Sequence, residues 1–177
     1  MKALFFSISF IITLSLNAQI TKNNWLVGGD VAFSYSKSKS DAGSETFIMK
    51  ASPNVGYFFF DKTAFGTKVD YTLSRSKSDD GTTKFDRLLV SPFARYYFLE
   101  SEKQVNVFIE SSYGFSILNE DNFTEFSIKG GTAIFLNSSV AFEISIAYLN
   151  SNSKNAYVGA NTILLGFGVQ VHLERER

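Results

Sequence analysis

From residue 24 onward, apolar and polar residues alternate along the chain with a period of two. In the stretch 25–36, the odd positions hold aromatic, branched or glycine residues, whereas most even positions are small or polar. A period of two places successive side chains on opposite faces of a β-strand. The same pattern recurs between polar turns and predicts strands at 24–37, 45–60, 63–76, 84–98, 104–117, 122–136, 139–150 and 157–173.

The connections between these strands alternate in length. Short ones lie at 61–62, 99–103 and 137–138, and longer polar ones lie at 37–44, 76–83, 118–121 and 151–156. Outer-membrane barrels have this construction, with short periplasmic turns and longer extracellular loops. An even number of strands also returns both termini to one side. The sequence therefore predicts an all-β fold, an eight-stranded antiparallel up-and-down transmembrane β-barrel.

Charged residues in the strands fall on one face only. The predicted inward positions carry ten charges, namely Asp30, Lys50, Lys68, Asp70, Arg87, Arg95, Glu110, Glu125, Lys129 and Glu143. The opposite face carries none at the positions assigned to the membrane core. A Lys or Arg facing lipid at the bilayer midplane costs about 2–4 kcal/mol. Reversing the faces would cost on the order of 20 kcal/mol, which exceeds a typical stability of about 5–15 kcal/mol.

Aromatic residues on the apolar face form two predicted belts. The periplasmic belt holds Trp25, Tyr57, Phe59, Phe65, Tyr96 and Phe98. The outer belt holds Phe33, Tyr35, Phe47, Tyr71, Tyr113, Phe115, Phe126, Tyr148 and Tyr157. The eight residue-to-residue steps from Trp25 to Phe33 cover about 20 Å of height at a strand tilt near 40°, close to the apolar band of about 25 Å in such barrels.

The first eighteen residues predict a cleaved signal peptide. Lys2 precedes an apolar run from position 3 to 16, and Ala18 supplies a small residue before the cut. The run is too short for a spanning helix, which needs about 20 residues. We therefore expect export and a barrel domain at 19–177. The absence of Cys excludes disulfides and a lipidated cysteine, and the balance of 17 basic and 17 acidic residues gives no indication of nucleic acid binding.

The sequence resembles the small outer-membrane barrel domains similar to OmpA and OmpX. The likeness lies in the leader ending Asn17-Ala18-Gln19, the Pro-x-x-Gly-Tyr-Phe run at 53–58, and the strand end at 130–137. It implies a stand-alone barrel in the bacterial outer membrane that contacts outer-membrane lipids and is inserted by the barrel-assembly machinery. Such proteins often end on an aromatic residue, whereas here Leu173 precedes Glu-Arg-Glu-Arg. We therefore expect either a weaker assembly signal or one supplied by Phe167 and the alternating residues after it.

An eight-stranded barrel has an interior just wide enough for side chains to fill it. Six of the inward charges fall at similar heights, namely Asp30, Lys68, Asp70, Glu110, Lys129 and Glu143. We expect a mid-barrel network of ion pairs in which Glu110, Lys129 and Glu143 cross three strands. The barrel would then have a structural or surface-interaction role, with a possible ligand bound by the longer loops. The alternative is a narrow gated pore for ions or small solutes. No cofactor or metal site is predicted.

Two less favoured alternatives remain at this point. A lipid-modifying enzyme would need a base near the outer rim, and the single histidine, His172, lies near the periplasmic end. A soluble lipocalin-like carrier would turn the apolar face inward. The predicted interior is partly apolar and includes Ile48, Phe58, Leu89, Phe93, Phe108 and Phe135. Pro53 and Pro92 both fall on the outward face, where we expect a bulge or a strand end to absorb the missing N–H donor.

Overall fold

The computed structural model describes residues 20–37, 45–78, 81–117, 123–153 and 156–174, with the side chains of 153 and 156–159 left aside. The predicted signal peptide lies outside these residues. The strands are β1 (Trp25–Lys37), β2 (Glu45–Phe60), β3 (Thr63–Ser78), β4 (Gly81–Tyr97), β5 (Val105–Ser116), β6 (Phe123–Phe135), β7 (Val140–Ser153) and β8 (Ala156–Leu173). Each begins and ends within three residues of its predicted bounds.

The strands close into one barrel. Every strand pairs antiparallel with its neighbours in sequence, and β1 also pairs with β8 from Trp25↔Leu173 to Phe33↔Leu165. In the described part of the chain, closure gives each of the eight strands a hydrogen-bonded neighbour on both sides. The predicted fold class, an eight-stranded up-and-down barrel, is confirmed.

The two ends of the barrel differ in construction. We call the end with the turns at 61–62, 98–104 and 136–139 the lower end, and the opposite one the upper end. At the upper end β3 and β4 stay paired as far as Ser78↔Gly81, and β7 and β8 as far as Ser153↔Ala156. The prediction of longer loops at 76–83 and 151–156 is therefore wrong. Serine, threonine and lysine can extend a strand ladder into solvent without an apolar pattern, so the sequence does not mark this extension. The loops predicted at 37–44 and 118–121 lie almost wholly outside the described residues.

Both prolines lie inside strands, not at bulges or strand ends as predicted. The β2–β3 pairs stop at Ala51↔Tyr71 and resume at Asn54↔Lys68 in the same register, so the gap includes Pro53. The β4–β5 pairs stop at Val90↔Phe115 and resume at Phe93↔Ser112, so a second gap includes Pro92. Each proline removes a ladder donor on one side only, while the ladder on its other side continues. The missing donors are thus absorbed by local interruptions of the ladder.

The outward face is apolar and the interior is polar at mid-height. Residues of both aromatic belts are exposed on the outer wall, among them Trp25, Phe65, Phe33 and Tyr113, and Tyr157 lies outside the described side chains. Nine of the ten predicted inward charges are buried, and Arg87 is half-buried. This arrangement is the reverse of that in a lipocalin-like carrier. Among the described residues, no helix is long and apolar enough to cross a membrane.

Candidate functional site

The centre of the barrel interior is the carboxylate of Glu110 on β5. Lys68 Nζ lies 2.9 Å from Oε1, Lys129 Nζ lies 3.2 Å from the same oxygen, and Arg95 donates through Nε and Nη2 to Oε2 at 2.9 and 2.6 Å. All four side chains are at least 95% buried. One acid thus binds three cations that come from β3, β4 and β6. Isolated charges could not remain ionised at this depth, so the four groups depend on one another.

Asp70 on β3 forms a second centre beside the first. Its Oδ1 accepts a hydrogen bond from Ser52 at 2.6 Å, and its Oδ2 accepts one from Ser91 at 2.5 Å. Lys50 Nζ lies 3.4 Å from Oδ1 and 2.5 Å from Glu125 Oε1. Lys50 therefore links Asp70 to Glu125 on β6 across the lumen.

The remaining pairs are connected differently from the prediction. Lys129 makes its shorter contact, 2.7 Å, with Asp30 on β1, and its contact with Glu110 is longer. Glu143 accepts from Arg95 Nη1 at 2.7 Å, so Arg95, not Lys129, joins Glu110 to Glu143. The predicted bridge from Lys129 to Glu143 is absent among the ion pairs of the described residues. Arg95 can join these two acids because the several N–H donors of a guanidinium can bind two carboxylates at once.

Arg87 lies on the upper side of the interior, near Glu125. Its guanidinium carbon sits 3.0 Å from the ring centroid of Phe123 and 4.6 Å from that of Phe85. These rings line the wall of an open cavity of about 260 Å³ at the upper end, together with Ile48 and the Glu125 carboxylate. Arg87 therefore belongs to the upper mouth of the barrel, above the ion-pair network.

Below the network the interior changes to an apolar layer. Its buried side chains are Ile20, Leu26, Phe58, Ala64, Phe93, Tyr97, Phe108, Ala133, Phe135 and Ala141. Tyr97 joins the two zones, because its ring contacts Phe58 and Phe108 while its hydroxyl accepts from Arg95 Nη1 at 3.1 Å. The layer fills the lumen at the lower end.

The segment before β1 lies across the lower mouth. Ile20 is fully buried, and its carbonyl accepts from the Lys62 N–H at 2.9 Å. The Asn23 N–H donates to Phe58 O at 2.8 Å, and the Lys22 N–H donates to Asp61 Oδ1 at 2.8 Å. These bonds fix Ile20 against the apolar layer, so the lower end is sealed by the chain itself.

His172 lies within the lower half of the lumen and is fully buried. Its ring packs on Phe58 and Phe135, and Nε2 lies 3.4 Å from the Tyr97 hydroxyl. Four polar side chains of the interior have buried atoms without a hydrogen-bond partner in the described structure: Asn54, Thr72, Gln170 and His172 Nδ1. Among the described residues, no group of three or more His, Cys, Asp or Glu could hold a metal ion.

The sequence pattern did not indicate the roles of Ser52 and Ser91, or of Ile20 at the lower mouth. Ser52 and Ser91 each precede a proline in a repeated Ser-Pro dipeptide, and both hydroxyls bind Asp70. That repeat was the available signal, because two like dipeptides that each place a serine on the inward face indicate a shared role. Nothing in the pattern indicates that Ile20, before the first strand, enters the lumen.

Comparison with solved structures agrees with this architecture. The chain is similar to the outer membrane protein OprG from Pseudomonas aeruginosa, at 12% identity over 89% of this chain and 100% of that chain, with a TM-score of 0.54. It is also similar to Neisserial surface protein A (NspA), at 15% identity over 84% of this chain and 96% of that chain, with a TM-score of 0.52. No protein-family model and no curated protein sequence matches the chain. Its fold is that of the small eight-stranded outer-membrane barrels.

Proposed function

We propose that this chain is an integral protein of the bacterial outer membrane whose barrel is closed to solutes and serves a structural or surface-interaction role. The observation that carries the proposal is the filling of the lumen at two successive levels. Nine buried charges cross it at mid-height, and the apolar layer with Ile20 fills it below. A solute on a straight path would have to displace both.

The outer wall supports the membrane location. Large apolar side chains such as Val31, Val69 and Ile146 are 39–61% exposed around the wall. Soluble proteins rarely leave a continuous apolar band open to water. In a bilayer the same band is buried in hydrocarbon, and the aromatic residues at both rims lie at the interfaces. The proposed route is export by the signal peptide and insertion by the barrel-assembly machinery, with outer-membrane lipids as the immediate partners.

The upper end supports a surface role. The last pair of β4 with β5 is Leu89↔Ser116, whereas β4 continues to pair with β3 through Gly81. Residues 81–88 therefore extend beyond β5, by about 26 Å along the strand. β2 and β3 accompany this extension up to Glu45↔Lys77. A sheet that projects beyond the barrel wall presents side chains to whatever lies at the cell surface.

Planar-bilayer recording of the purified protein tests closure. We expect no channel events from the wild type, because Lys129 is held at once by Asp30 and Glu110. A known porin in the same bilayer provides the positive control. Regular unitary conductance from the wild type would overturn the proposal.

A narrow gated pore is the second candidate, and the unpartnered polar atoms of Asn54 and Gln170 favour it. Buried polar groups without protein partners are places where water binds. Conductance that appears only in Lys129→Ala would favour a gate formed by the ion pairs. Silence in both proteins would favour the closed barrel.

Cell fractionation with heat-modifiable gel mobility tests the location. We expect the protein in the outer-membrane fraction, with a fast-migrating form that slows on boiling. Recovery in the soluble fraction would contradict the assignment. We also propose that the chain is not an enzyme. Turnover of a labelled membrane lipid by the purified protein would overturn that part.

A further inference from the structure

An apolar groove with two cations at its upper edge lies on the outer wall of β2, β3 and β4. The groove has a volume of about 580 Å³ and is lined by Phe47, Met49, Tyr71 and Leu73, among others. These four side chains are 37–45% exposed. The groove is therefore an indentation in the surface that faces lipid under the proposed function.

Cationic side chains begin above the apolar rows, and one acid, Asp86, lies in the row of Leu73. Across β2 and β3 the outward pairs ascend from Met49↔Leu73 to Phe47↔Arg75. Across β3 and β4 the corresponding pairs are Leu73↔Asp86 and then Arg75↔Lys84. Arg75 lies four residues above Tyr71, about 13 Å along the strand and roughly 10 Å in height at a tilt near 40°. That distance carries it from the aromatic belt to the level of lipid headgroups.

Arg75 and Lys84 face each other directly across β3 and β4. Like charges in this position repel and destabilise the pair of strands. Both side chains are exposed, and neither has an acidic side chain within 4 Å in the part of the chain that the structure describes. Asp86 lies one row lower, so the three groups together carry a net charge of +1. An anion between the two cations would remove the repulsion.

We propose that this groove binds an outer-leaflet lipid with a phosphate headgroup, with the phosphate between Arg75 and Lys84 and an acyl chain against Met49 and Leu73. A guanidinium binds phosphate through two parallel hydrogen bonds, and an ammonium adds a point charge. A soluble anion would gain nothing from the apolar rows beneath. A lipid matches both parts of the site, because its charged and apolar ends follow one another in the same order. The inference rests on the proposed membrane location.

The test uses purified protein in nanodiscs of phosphatidylcholine that contain a fixed fraction of lipid A, a diphosphorylated glycolipid. Native mass spectrometry of the released protein measures the lipid that stays bound. We expect the wild type to retain lipid A, and the double variant Arg75→Gln/Lys84→Gln to retain it about 30-fold more weakly, the effect of two cations near an anionic surface. The matched control, Lys22→Gln/Lys103→Gln, removes two exposed cations at the lower end and should bind as the wild type does.

Failure of the double variant to fold would show as loss of the heat-modifiable form. A variant that is expected to bind more lipid then provides the test. Asp86→Asn removes the acid of the groove and should tighten retention. Retention by Asp86→Asn equal to or weaker than that of the wild type would overturn the proposal. So would equal retention of dephosphorylated lipid A, or equal retention by the double variant and its control.

Inorganic phosphate in large excess distinguishes a lipid site from a simple anion site. We expect it to leave lipid A bound, because it lacks the acyl chain. Displacement would overturn the lipid assignment. The assay needs only a folded barrel in a nanodisc, so its failure is distinguishable from a failure of the cellular location, which fractionation measures.

Discussion

The lower and upper halves of this barrel are formed by the same strands but differ in what fills the interior and in how far the strands extend. In the lower half, turns as short as 61–62 bring the strands together around an apolar layer, and Ile20 closes the mouth. In the upper half, β3 and β4 run on beyond β5, and the mouth opens into a cavity beside Arg87. The ion-pair network separates the two. The lower half is filled by side chains, and the upper half contains an open cavity.

This comparison shows that closure and exposure can be set independently along one strand. β4 contributes Tyr97 to the apolar layer, Arg95 and Ser91 to the network above it, and Lys84 to the exposed wall. The strand geometry is the same throughout, so only side-chain identity changes with height. Substitutions at different heights should therefore have effects of very different size.

The largest effect is expected for Glu110→Ala, which removes the carboxylate shared by three buried cations. Breaking a buried pair by removal of one partner costs about 3–5 kcal/mol, because the remaining charge stays uncompensated. The urea midpoint of unfolding in lipid vesicles measures the loss, with the exposed turn residue Glu102→Ala as the control. Equal midpoints for the two variants would mean that the network does not hold the barrel together.

Phe58→Ala should come next, with a loss of about 3 kcal/mol, because it leaves a cavity in the apolar layer. The same vesicle unfolding assay applies. Phe60→Ala, two residues further along β2 and 63% exposed, should lose much less. If both variants unfold at the same midpoint, the lower half is not packed as a core.

Ser52→Ala and Ser91→Ala should each cost about 2 kcal/mol, the usual size of a hydrogen bond to a charged group. Each variant removes one donor from Asp70 and leaves Lys50 and the other serine to compensate its charge. The unfolding midpoints of the two variants are compared with that of Ser36→Ala, an exposed serine of the upper half. A neutral result at Ser91 would contradict the role of the Ser-Pro repeat.

The smallest effect is expected for Lys37→Gln in the upper half. Lys37 and Glu45 form an exposed ion pair at 2.7 Å. Water and salt screen such a pair, so we expect no measurable shift of the unfolding midpoint. A loss comparable with that of Glu110→Ala would remove the distinction between the two halves.

The sequence alone predicted the strands, their bounds and the face that each residue occupies, because all three follow from a period of two. The partners inside the lumen could not be predicted in the same way. Lys129 binds Asp30 across 99 residues, and the choice depends on strand stagger and side-chain reach. The position of Ile20 in the lower mouth could not be predicted either, because a single apolar residue before a strand carries no periodic signal. The upper hairpin of β3 and β4 was missed because solvated strands need no apolar alternation.

The two interruptions beside Pro53 and Pro92 have a consequence for how the wall moves. One lies between β2 and β3 and the other between β4 and β5, at similar heights. The hairpin of β3 and β4 is therefore bordered on each side by an interrupted ladder. Amide protons beside these two interruptions should exchange with deuterium sooner than those of the uninterrupted β6–β7 ladder. The hydrogen bond from Ser52 on β2 to Asp70 on β3 spans the first interruption, so it holds this hairpin to β2 from inside the barrel.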